Sequence, residues 1–499
     1  MQALANPRVD WLAISPEIAL ISTIMVVLIA DMILPKRDTW LTSRIASIGV
    51  LVSLAFVVVL AAHDPIQPMF GGAYAVDDYA IALKGFFLVA TYITILMSVD
   101  YIAEGDYYQG EFYFLLLCSV LGMTVMASSR DLISLFVALE TISIPTYVLA
   151  GYRKHDRRSN EGALKYYLVG AISSAIMLYG MSLIFGLTGS TLLSEISAKL
   201  GALEDTKLLV VGVFLSLIGF AFKVSAVPFH WWAPDTYEGA PTPVTAFLSV
   251  ASKAGGFVAM LNIVFFGFDT KPDAWWAIAW GLAVASMTLG NLTALKQTNI
   301  VRMLAYSSVA QGGFMLVPFA AYGIALANND PSVASISFQA VVIYLLVYGA
   351  MNLGAFACII AVARRSRSAE IDSYSGIFNH SPVIAVLMSI FVASLAGIPP
   401  FAGWFAKFTM FRSAIDAGGW AGTSLAVIAG VNSVIAAFYY LNIVRTMWFK
   451  PAPQDAEPVQ VTPALAVSLT LCVSMVVAVG VYPTLFGRIG ELAGKVVGG

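Results

Sequence analysis

Long apolar runs recur along this chain almost without interruption. Runs of about 20 apolar residues, the length that crosses a hydrocarbon core of about 30 Å, are separated by short polar segments. They are too long and too uniformly apolar for the strands of a membrane barrel, and helices satisfy their own backbone groups in lipid. The pattern therefore predicts an all-α membrane protein with about fourteen transmembrane helices, at 12–34, 42–62, 79–99, 111–129, 131–151, 163–187, 207–229, 243–268, 274–294, 300–325, 335–363, 383–412, 421–448 and 462–486.

The composition supports this prediction and excludes nucleic acid as a partner. Of 499 residues, 59% are hydrophobic and 11% are charged, against roughly 25% charged in soluble proteins. The 27 basic and 29 acidic residues nearly balance, and no basic stripe marks a nucleic-acid surface. The N-terminus lacks the basic stretch and small-residue cleavage site of a signal peptide. We therefore expect the first apolar run to be retained as a span.

The basic residues between the spans predict the orientation. One set of alternate loops holds fourteen of them and the other holds eight, and the richer set is expected in the cytoplasm. Both termini would then lie outside, although the acidic loop from Asp100 to Glu111 argues weakly against this. The richer set is Lys36, Arg37, Arg44, Arg153, Lys154, Arg157, Arg158, Lys296, Arg302, Arg364, Arg365, Arg367, Arg445 and Lys450; the other is Arg8, Arg130, Lys199, Lys207, Lys271, Arg412, Arg488 and Lys495.

Two pairs of similar segments indicate an internal duplication. Residues 128–152 resemble 296–322, and VPFHWW (227–232) resembles IPPFAGW (398–404), at offsets near 168 and 171. Repeats that contain proline-broken spans are typical of secondary transporters. We predict two inverted five-helix repeats with broken helices. The boundaries would be 1–110 for an N-terminal three-helix segment, 111–270 for helices 4–8, 271–450 for helices 9–13 and 451–499 for helix 14.

Six charged side chains fall inside the predicted spans. The five bases are all lysines: Lys84, Lys165, Lys223, Lys253 and Lys407. Since Glu17 and Asp31 lie toward the ends of the first span, Glu140 is the one carboxylate near the middle of a span. A charge at the membrane centre costs about 2.5–3.5 kcal/mol on insertion scales, so such residues usually face the bundle interior and pair. These residues are the candidate functional site.

The sequence around four of these residues favours water and mobile ions. Glu140 lies five residues before Pro145, which loosens a helix. Lys223 precedes the proline-rich stretch AVPFHWWAPDTYEGAPTPV (226–244), and Lys407 follows GIPPFAGW, so both lie beside predicted helix breaks. Lys253 lies among small residues in SVASKAGG, which allow close helix approach and leave room for water.

Lysine suits proton transfer because its charge can change. Burial lowers the pKa of a lysine toward neutrality and a nearby carboxylate raises it, so pairing and separation would switch the group between holding and releasing a proton. Arginine cannot do this because its pKa stays above 12. The alternative for all of these residues is a static ion pair between helices. For Lys84 and Lys165, near span ends, extension of the ammonium to the headgroups is an equal alternative.

Residues for other chemistry are missing from the sequence. We find no phosphate loop, dinucleotide fingerprint, nucleophile elbow or haem pattern. The three cysteines and four histidines are scattered without metal-ligand spacing. The prediction is that this chain contains no catalytic residue for covalent chemistry, no metal and no cofactor.

At these residues the chain resembles the antiporter-like membrane subunits of respiratory NADH-quinone oxidoreductase, which are themselves similar to subunits of multisubunit sodium/proton antiporters. The resemblance covers most of the chain and is strongest from about 111 to 445. In that family a glutamate in helix 5, lysines in broken helix 7 and in helix 8, and a charged residue in broken helix 12 form a polar axis. Glu140, Lys223, Lys253 and Lys407 occupy those places, and Lys165 is a fifth candidate for proton translocation. Of the three bacterial members of this family, one carries glutamate at the place of Lys407, and the largest has a long C-terminal extension. We therefore expect this chain to be similar to the third.

The resemblance implies a proton-translocating subunit in the bacterial inner membrane. NADH, FMN, iron–sulfur clusters and quinone would belong to partner subunits, and neighbouring antiporter-like subunits and lipids would surround this one. The main alternative is a subunit of an independent cation/proton antiporter, which uses the same kind of residues. A scaffold with fixed ion pairs is a third possibility. An intramembrane enzyme is a fourth, but it would need clustered acids or histidines that the sequence lacks.

Overall fold

A computed structural model describes residues 9–498 except 36–37, 39, 64–65, 106, 108, 204–206, 329, 331 and 454–456. Three of the basic residues used for the orientation, Arg8, Lys36 and Arg37, lie outside the described residues. The described residues form mainly α-helices, joined by turns, 3-10 helices and loops. In chain order the helices are α1 Ser15–Ile33, α2 Leu41–Ala61, α3 Asp78–Glu104, α4 Gln109–Ser128, α5 Leu132–Ala150, α6 Arg157–Thr188, α7 Leu193–Gly201, α8 Lys207–Lys223, α9 Trp232–Gly239, α10 Thr242–Phe247, α11 Lys253–Phe266, α12 Trp276–Ala294, α13 Ile300–Ala327, α14 Val333–Ser366, α15 Ile377–His380, α16 Pro382–Ala396, α17 Ala402–Asp416, α18 Gly419–Phe449, α19 Pro463–Val481 and α20 Thr484–Gly498.

The helical membrane architecture predicted from the apolar runs is confirmed. Twelve helical segments in the described part of the chain are long and apolar enough to cross a membrane; one of them, Thr242–Phe266, joins α10 and α11 through a π-helical turn. The two other predicted spans, 207–229 and 383–412, coincide with interrupted helices. The count of fourteen therefore stays a prediction.

Both interruptions lie where the prolines predict them. The helix ends at Lys223 and resumes at Trp232, and it ends again at Ala396 and resumes at Ala402. Each break contains one cis peptide bond before proline, at Val227–Pro228 and at Pro399–Pro400. Because the ends of the half-helices carry unpaired backbone groups, each break brings polar groups into the apolar bundle.

The centre of the bundle is formed by three segments. The apolar stretches of Thr242–Phe266 and of α14 are wholly buried, and that of α13 is nearly so. By contrast, only 33% of the residues in the apolar stretches of α1, α2, α6 and α18 are buried, as expected of helices that face lipid or a neighbouring chain. Side chains on α11, α13 and α14 are therefore the ones most isolated from the surroundings.

Two amphipathic helices were not predicted. The helix α7 is a short amphipathic segment between α6 and α8, and α20 is an amphipathic helix that follows α19 and packs on α14 and α3. In α20 the apolar positions Phe486, Gly490 and Ala493 are buried while Arg488 and Glu491 are exposed. Both helices escaped the search because they are too short and too polar to read as spans.

The N-terminal helices are joined by a buried ion pair. The Lys84 ammonium on α3 lies 3.0 Å from the Glu17 carboxylate on α1, and it donates a 2.8 Å hydrogen bond to the Tyr74 hydroxyl. Lys84 is completely buried and Glu17 is 6% exposed. Extension of the Lys84 ammonium to the headgroups is therefore wrong, because the partner that stabilises its charge lies inside the bundle.

Candidate functional site

Three of the predicted lysines lie in the interior of the bundle. Lys223 and Lys253 are 2% exposed and Lys407 is 5% exposed. None of them takes part in an ion pair between described residues; their hydrogen-bond partners are hydroxyls and backbone carbonyls. The expected pairing of these lysines with a carboxylate is therefore not formed in this arrangement.

Lys223 lies in the last turn of α8, directly before the first break. Its ammonium donates to the Ser143 hydroxyl on α5 at 2.9 Å and to the Tyr166 hydroxyl on α6 at 3.1 Å. The C-terminal end of a helix carries partial negative charge, which favours a cation there. The stem of Lys223 packs on Gly256 of α11, where a Cβ would come within 2.9 Å of it. The small residue predicted to allow close helix approach does so here.

Glu140 lies on α5, one helical turn before Ser143, and is only partly buried. It accepts a hydrogen bond from the Ser174 hydroxyl on α6. Its neighbours on α5, Val137 and Ile144, are 54% and 58% exposed. Glu140 therefore lies at the outer edge of the groove between α5 and α6. On α5 it lies one helical turn before Ser143, the residue to which Lys223 donates.

Lys253 begins α11 directly after the π-helical turn Leu248–Ser252. Single π-helical turns inside α-helices often occur at functional sites, because they alter the direction of the side chains that follow. The Lys253 ammonium donates to the Ser308 carbonyl on α13 at 2.8 Å and also bonds the Ser308 hydroxyl. The Tyr348 hydroxyl on α14 donates to the same Ser308 oxygen at 3.1 Å. The three central helices thus meet at this lysine.

Lys407 lies on α17, beyond the second break, and reaches back to the helix before it. Its ammonium donates to the Ala396 carbonyl, at the C-terminal end of α16, at 2.9 Å, and lies 4.8 Å from the centre of the Phe314 ring on α13. Gly397, with φ of +89°, turns the chain at this point, and a Cβ there would come within 2.7 Å of the Lys407 stem. Only glycine fits this position without strain.

Lys165 belongs to a charged cluster near one end of the bundle. Its ammonium lies 2.6 Å from the Asp235 carboxylate and 2.7 Å from that of Glu161. Arg302 bridges Asp235 and Glu238 at 2.9 and 2.8 Å. The Lys165 side chain is 37% exposed, so it is neither buried like the central lysines nor extended freely into the surroundings. Glu238 also lines an open polar cavity at this end.

A row of polar side chains on α13 was missed by the search for charges. Ser307, Ser308 and Gln311 are each 1% exposed and lie between Lys253 and the part of α13 that contacts Lys407. The segment SSVAQGG (307–313) contained the signal, because three polar residues in an otherwise apolar span lie on adjoining helix positions. Charge alone does not find neutral groups that connect charged ones.

Among the described residues, no group of three or more histidine, cysteine, aspartate or glutamate side chains could hold a metal ion.

What the buried groups can do is hold and pass on protons. A lysine with only neutral partners leaves no unpaired carboxylate behind when it loses its proton, whereas separating a buried ion pair leaves an uncompensated charge.

Comparison with known proteins agrees with this architecture. Residues 129–435 match the family described as NADH:quinone oxidoreductase/Mrp antiporter, TM. NADH-quinone oxidoreductase subunit N of Trichlorobacter lovleyi is 37% identical over 489 residues, which cover 97% of this chain and 97% of that protein. The chain belongs to the NADH-quinone oxidoreductase subunit N family. The family resemblance drawn from the charged residues is thereby confirmed.

Solved structures agree on the fold. A chain of respiratory complex I from Thermus thermophilus aligns with a TM-score of 0.77 and 29% identity, over 96% of this chain and 99% of that one. A chain of the Mrp complex from a Dietzia species aligns with a TM-score of 0.82 over 98% of this chain and 97% of that one. Because the second is only 21% identical, it is similar in fold alone.

Proposed function

We propose that this subunit moves protons along an axis formed by Glu140, Lys223, Lys253 and Lys407, driven by redox chemistry in other subunits. The observation that supports the proposal is the burial of three lysines at the centre of the bundle, each bonded only to neutral groups of the described chain. Three such ammonium groups are expensive to place in a protein interior. Without carboxylate partners these ammonium groups do not stabilise a static fold, whereas proton transfer requires groups of this kind.

The arrangement suits stepwise transfer. Lys223 is held by the hydroxyls of Ser143 and Tyr166, which both donate and accept hydrogen bonds. Glu140 begins the axis at the outer edge of α5, and Lys407 ends it beside the second break. Lys165 is proposed as an accessory residue: its ion pair with Asp235, in the half-helix α9, connects the charged end of the bundle to the first broken span.

The redox chemistry is assigned to partner subunits. NADH oxidation by flavin and iron–sulfur clusters, and quinone reduction, would take place there, and this chain would respond through coupled conformational or electrostatic change. The names of its relatives support this division, since they are subunits of NADH-quinone oxidoreductase. Neighbouring antiporter-like subunits and lipids are the proposed contacts of the exposed helices.

The proposed location is the bacterial inner membrane, with both termini on the periplasmic side. Support comes from the excess of lysine and arginine in one set of loops. Two inverted five-helix repeats, 111–270 and 271–450, remain the proposed domain organisation, flanked by 1–110 and 451–499. Each proposed repeat contains one interrupted helix, which is consistent with that division.

The test compares Lys223→Ala with Lys223→Arg in the intact complex reconstituted into vesicles. NADH oxidation and formation of the membrane potential are measured together, with the amount of assembled complex quantified. Arginine keeps the positive charge but does not release a proton. We therefore expect both variants to lower potential formation about tenfold or more, with assembly retained in the arginine variant. Lys199→Ala, on the half-exposed helix α7, is the control and should match the wild type.

Normal potential formation in Lys223→Arg would overturn the proposal and favour a fixed structural charge. The alternative of an independent antiporter makes a separate prediction. If the purified complex contains no flavoprotein and does not oxidise NADH, the redox-driven function is wrong, whatever the lysine variants do.

A further inference from the structure

Hydrogen-bonded side chains lie along α13 between Lys253 and Lys407, where the axis itself contains no charged residue. Ser308, the partner of Lys253, and Phe314, against which the Lys407 ammonium lies, are six residues apart on this helix. At 1.5 Å per residue this is roughly 9 Å along the helix axis. A proton does not cross that distance in one step, so proton transfer between the two lysines needs intermediate groups.

Gln311 lies halfway between those two points and is 1% exposed. Ser308, Gln311 and Phe314 recur every three residues and therefore lie along one side of α13. The Gln311 amide nitrogen donates to the Tyr440 hydroxyl at 3.2 Å and to the Leu395 carbonyl at 3.1 Å. Its amide oxygen accepts from the Tyr344 hydroxyl at 2.6 Å. One amide thus joins α13, α14, α16 and α18.

The partners of Gln311 lead toward both lysines. On the Lys253 side, Tyr440 bonds Ser307, the residue before Ser308. Tyr344 lies one turn of α14 before Tyr348, and Tyr348 bonds Ser308 itself. On the other side, Leu395 is adjacent to Ala396, whose carbonyl holds the Lys407 ammonium.

We propose, on the basis of the proposed function, that Gln311 is the positioning residue that joins the two lysines into one proton path. In this path the hydroxyls of Ser308 and Tyr348, beside Lys253, and those of Tyr344 and Tyr440, beside Gln311, transfer the proton. Water molecules carry it between hydroxyls that do not bond each other and complete the step to Lys407 at the second break. Each hydroxyl accepts one proton and passes on another, so that one proton leaves the Lys253 ammonium and one arrives at a neutral Lys407 amine. The Gln311 amide neither gains nor loses a proton; it holds Tyr344 and Tyr440 in line.

The chain offers a closely matched control. Tyr79 on α3 is completely buried, as Tyr440 is. Its hydroxyl donates to the Val258 carbonyl on α11, at 3.5 Å, away from Gln311. Removal of the Tyr79 hydroxyl therefore removes a buried hydrogen bond without interrupting the proposed path.

The experiment uses the intact complex in vesicles, with proton translocation expressed per NADH oxidised. Gln311→Leu should lower the translocation rate about tenfold, the scale of one buried hydrogen bond, and Tyr440→Phe should lower it as well. Tyr79→Phe should match the wild type. If Gln311→Leu and Tyr440→Phe translocate like Tyr79→Phe, the proposal is overturned.

Gln311→Glu provides a readout that a merely structural role would not change. A protonated carboxyl can donate to Leu395 and accept from Tyr344, as the amide does, whereas a carboxylate cannot donate. Translocation by this variant, relative to the wild type at the same pH, should therefore be highest at low pH and fall as the pH rises. A ratio that does not change with pH would count against the role of Gln311, and this variant decides the question if Gln311→Leu fails to assemble.

Failure of this proposal is distinguishable from failure of the proposed function. If Lys223→Arg translocates normally, the lysine axis itself is wrong. If Lys223→Arg is impaired while Gln311→Leu and Tyr440→Phe are not, only the path through Gln311 is wrong.

Discussion

Replacement of Lys84 by methionine should destabilise the packing of α1 against α3 by about 3–5 kcal/mol, the cost of removing one partner of a buried ion pair. The Lys84 side chain is completely buried, the Glu17 side chain is 8% exposed, and their charged atoms lie 3.0 Å apart. The Glu17 oxygens have no hydrogen-bond partner among the described residues to replace the lysine. The variant therefore leaves a buried carboxylate without compensation.

The assay is the midpoint temperature at which this subunit is released from the detergent-solubilised complex. Midpoints change by about 2–4 °C per kcal/mol in chains of half this length, and the change per kcal/mol falls as the chain becomes longer, to about 1–2 °C here. A loss of about 3–5 kcal/mol should therefore lower the midpoint by roughly 3–10 °C. The double variant Lys84→Met with Glu17→Met removes both charges and should recover most of the loss. Proton translocation per NADH oxidised should stay unchanged in the complexes that assemble, because the pair lies outside the proposed axis.

Lys199→Met is the matched control for the ion pair. Lys199 and Glu195 lie four residues apart on α7, and their side chains are 48% and 53% exposed. An exposed pair of this kind contributes about 0.3–0.5 kcal/mol, so its loss should hardly move the midpoint. Equal midpoints for Lys84→Met and Lys199→Met would refute the claim that burial makes the first pair essential to packing.

Two further predictions concern the second break and the loop before it. Gly397→Ala should lower proton translocation for two reasons. An alanine backbone is strained by about 1–3 kcal/mol at φ of +89°, and the new methyl group would displace the Lys407 stem. Gly430→Ala, where a Cβ meets nothing within 4 Å, should match the wild type, and equal effects of the two variants would contradict the steric argument. Burial and the Arg365 guanidinium lower the pKa of His380, on α15 between the spans. Because the unfolded state then binds more protons than the folded state, stability should fall as the pH drops below about 6.5. The thermal midpoint is measured above and below that pH, and the difference between the two midpoints should be smaller in His380→Asn than in the wild type. An unchanged difference would exclude this histidine as the cause.

Much of the architecture follows from the sequence by itself. Uniform apolar runs of about 20 residues have one stable arrangement in lipid, the helix, because no water is available to bond the backbone. Pro228 and Pro400 lack the backbone N–H that a continuing helix needs, so the two breaks follow from local chemistry as well. Glu140, Lys223, Lys253 and Lys407 stand out because an intramembrane charge is costly wherever it lies.

The partners of those charges depended on tertiary packing. The sequence allowed Lys84 to reach the headgroups, but the position of α1 places Glu17 against it inside the bundle. Pairing of a central lysine with Glu140 was equally plausible, yet α5 directs Ser143 rather than Glu140 toward Lys223. Helix rotation decides such choices, and rotation is set by the packing of all neighbouring helices at once.

The same reason explains what charge could not reveal. Gln311, Tyr344 and Tyr440 are separated by up to 129 residues in the sequence and come together only because α13, α14 and α18 pack side by side. The sequence by itself determined which segments span the membrane, where two of them break and which charges they carry. The tertiary structure alone decided which neutral side chains stand between those charges, because a hydrogen bond between distant helices depends on where each helix lies and how it is rotated.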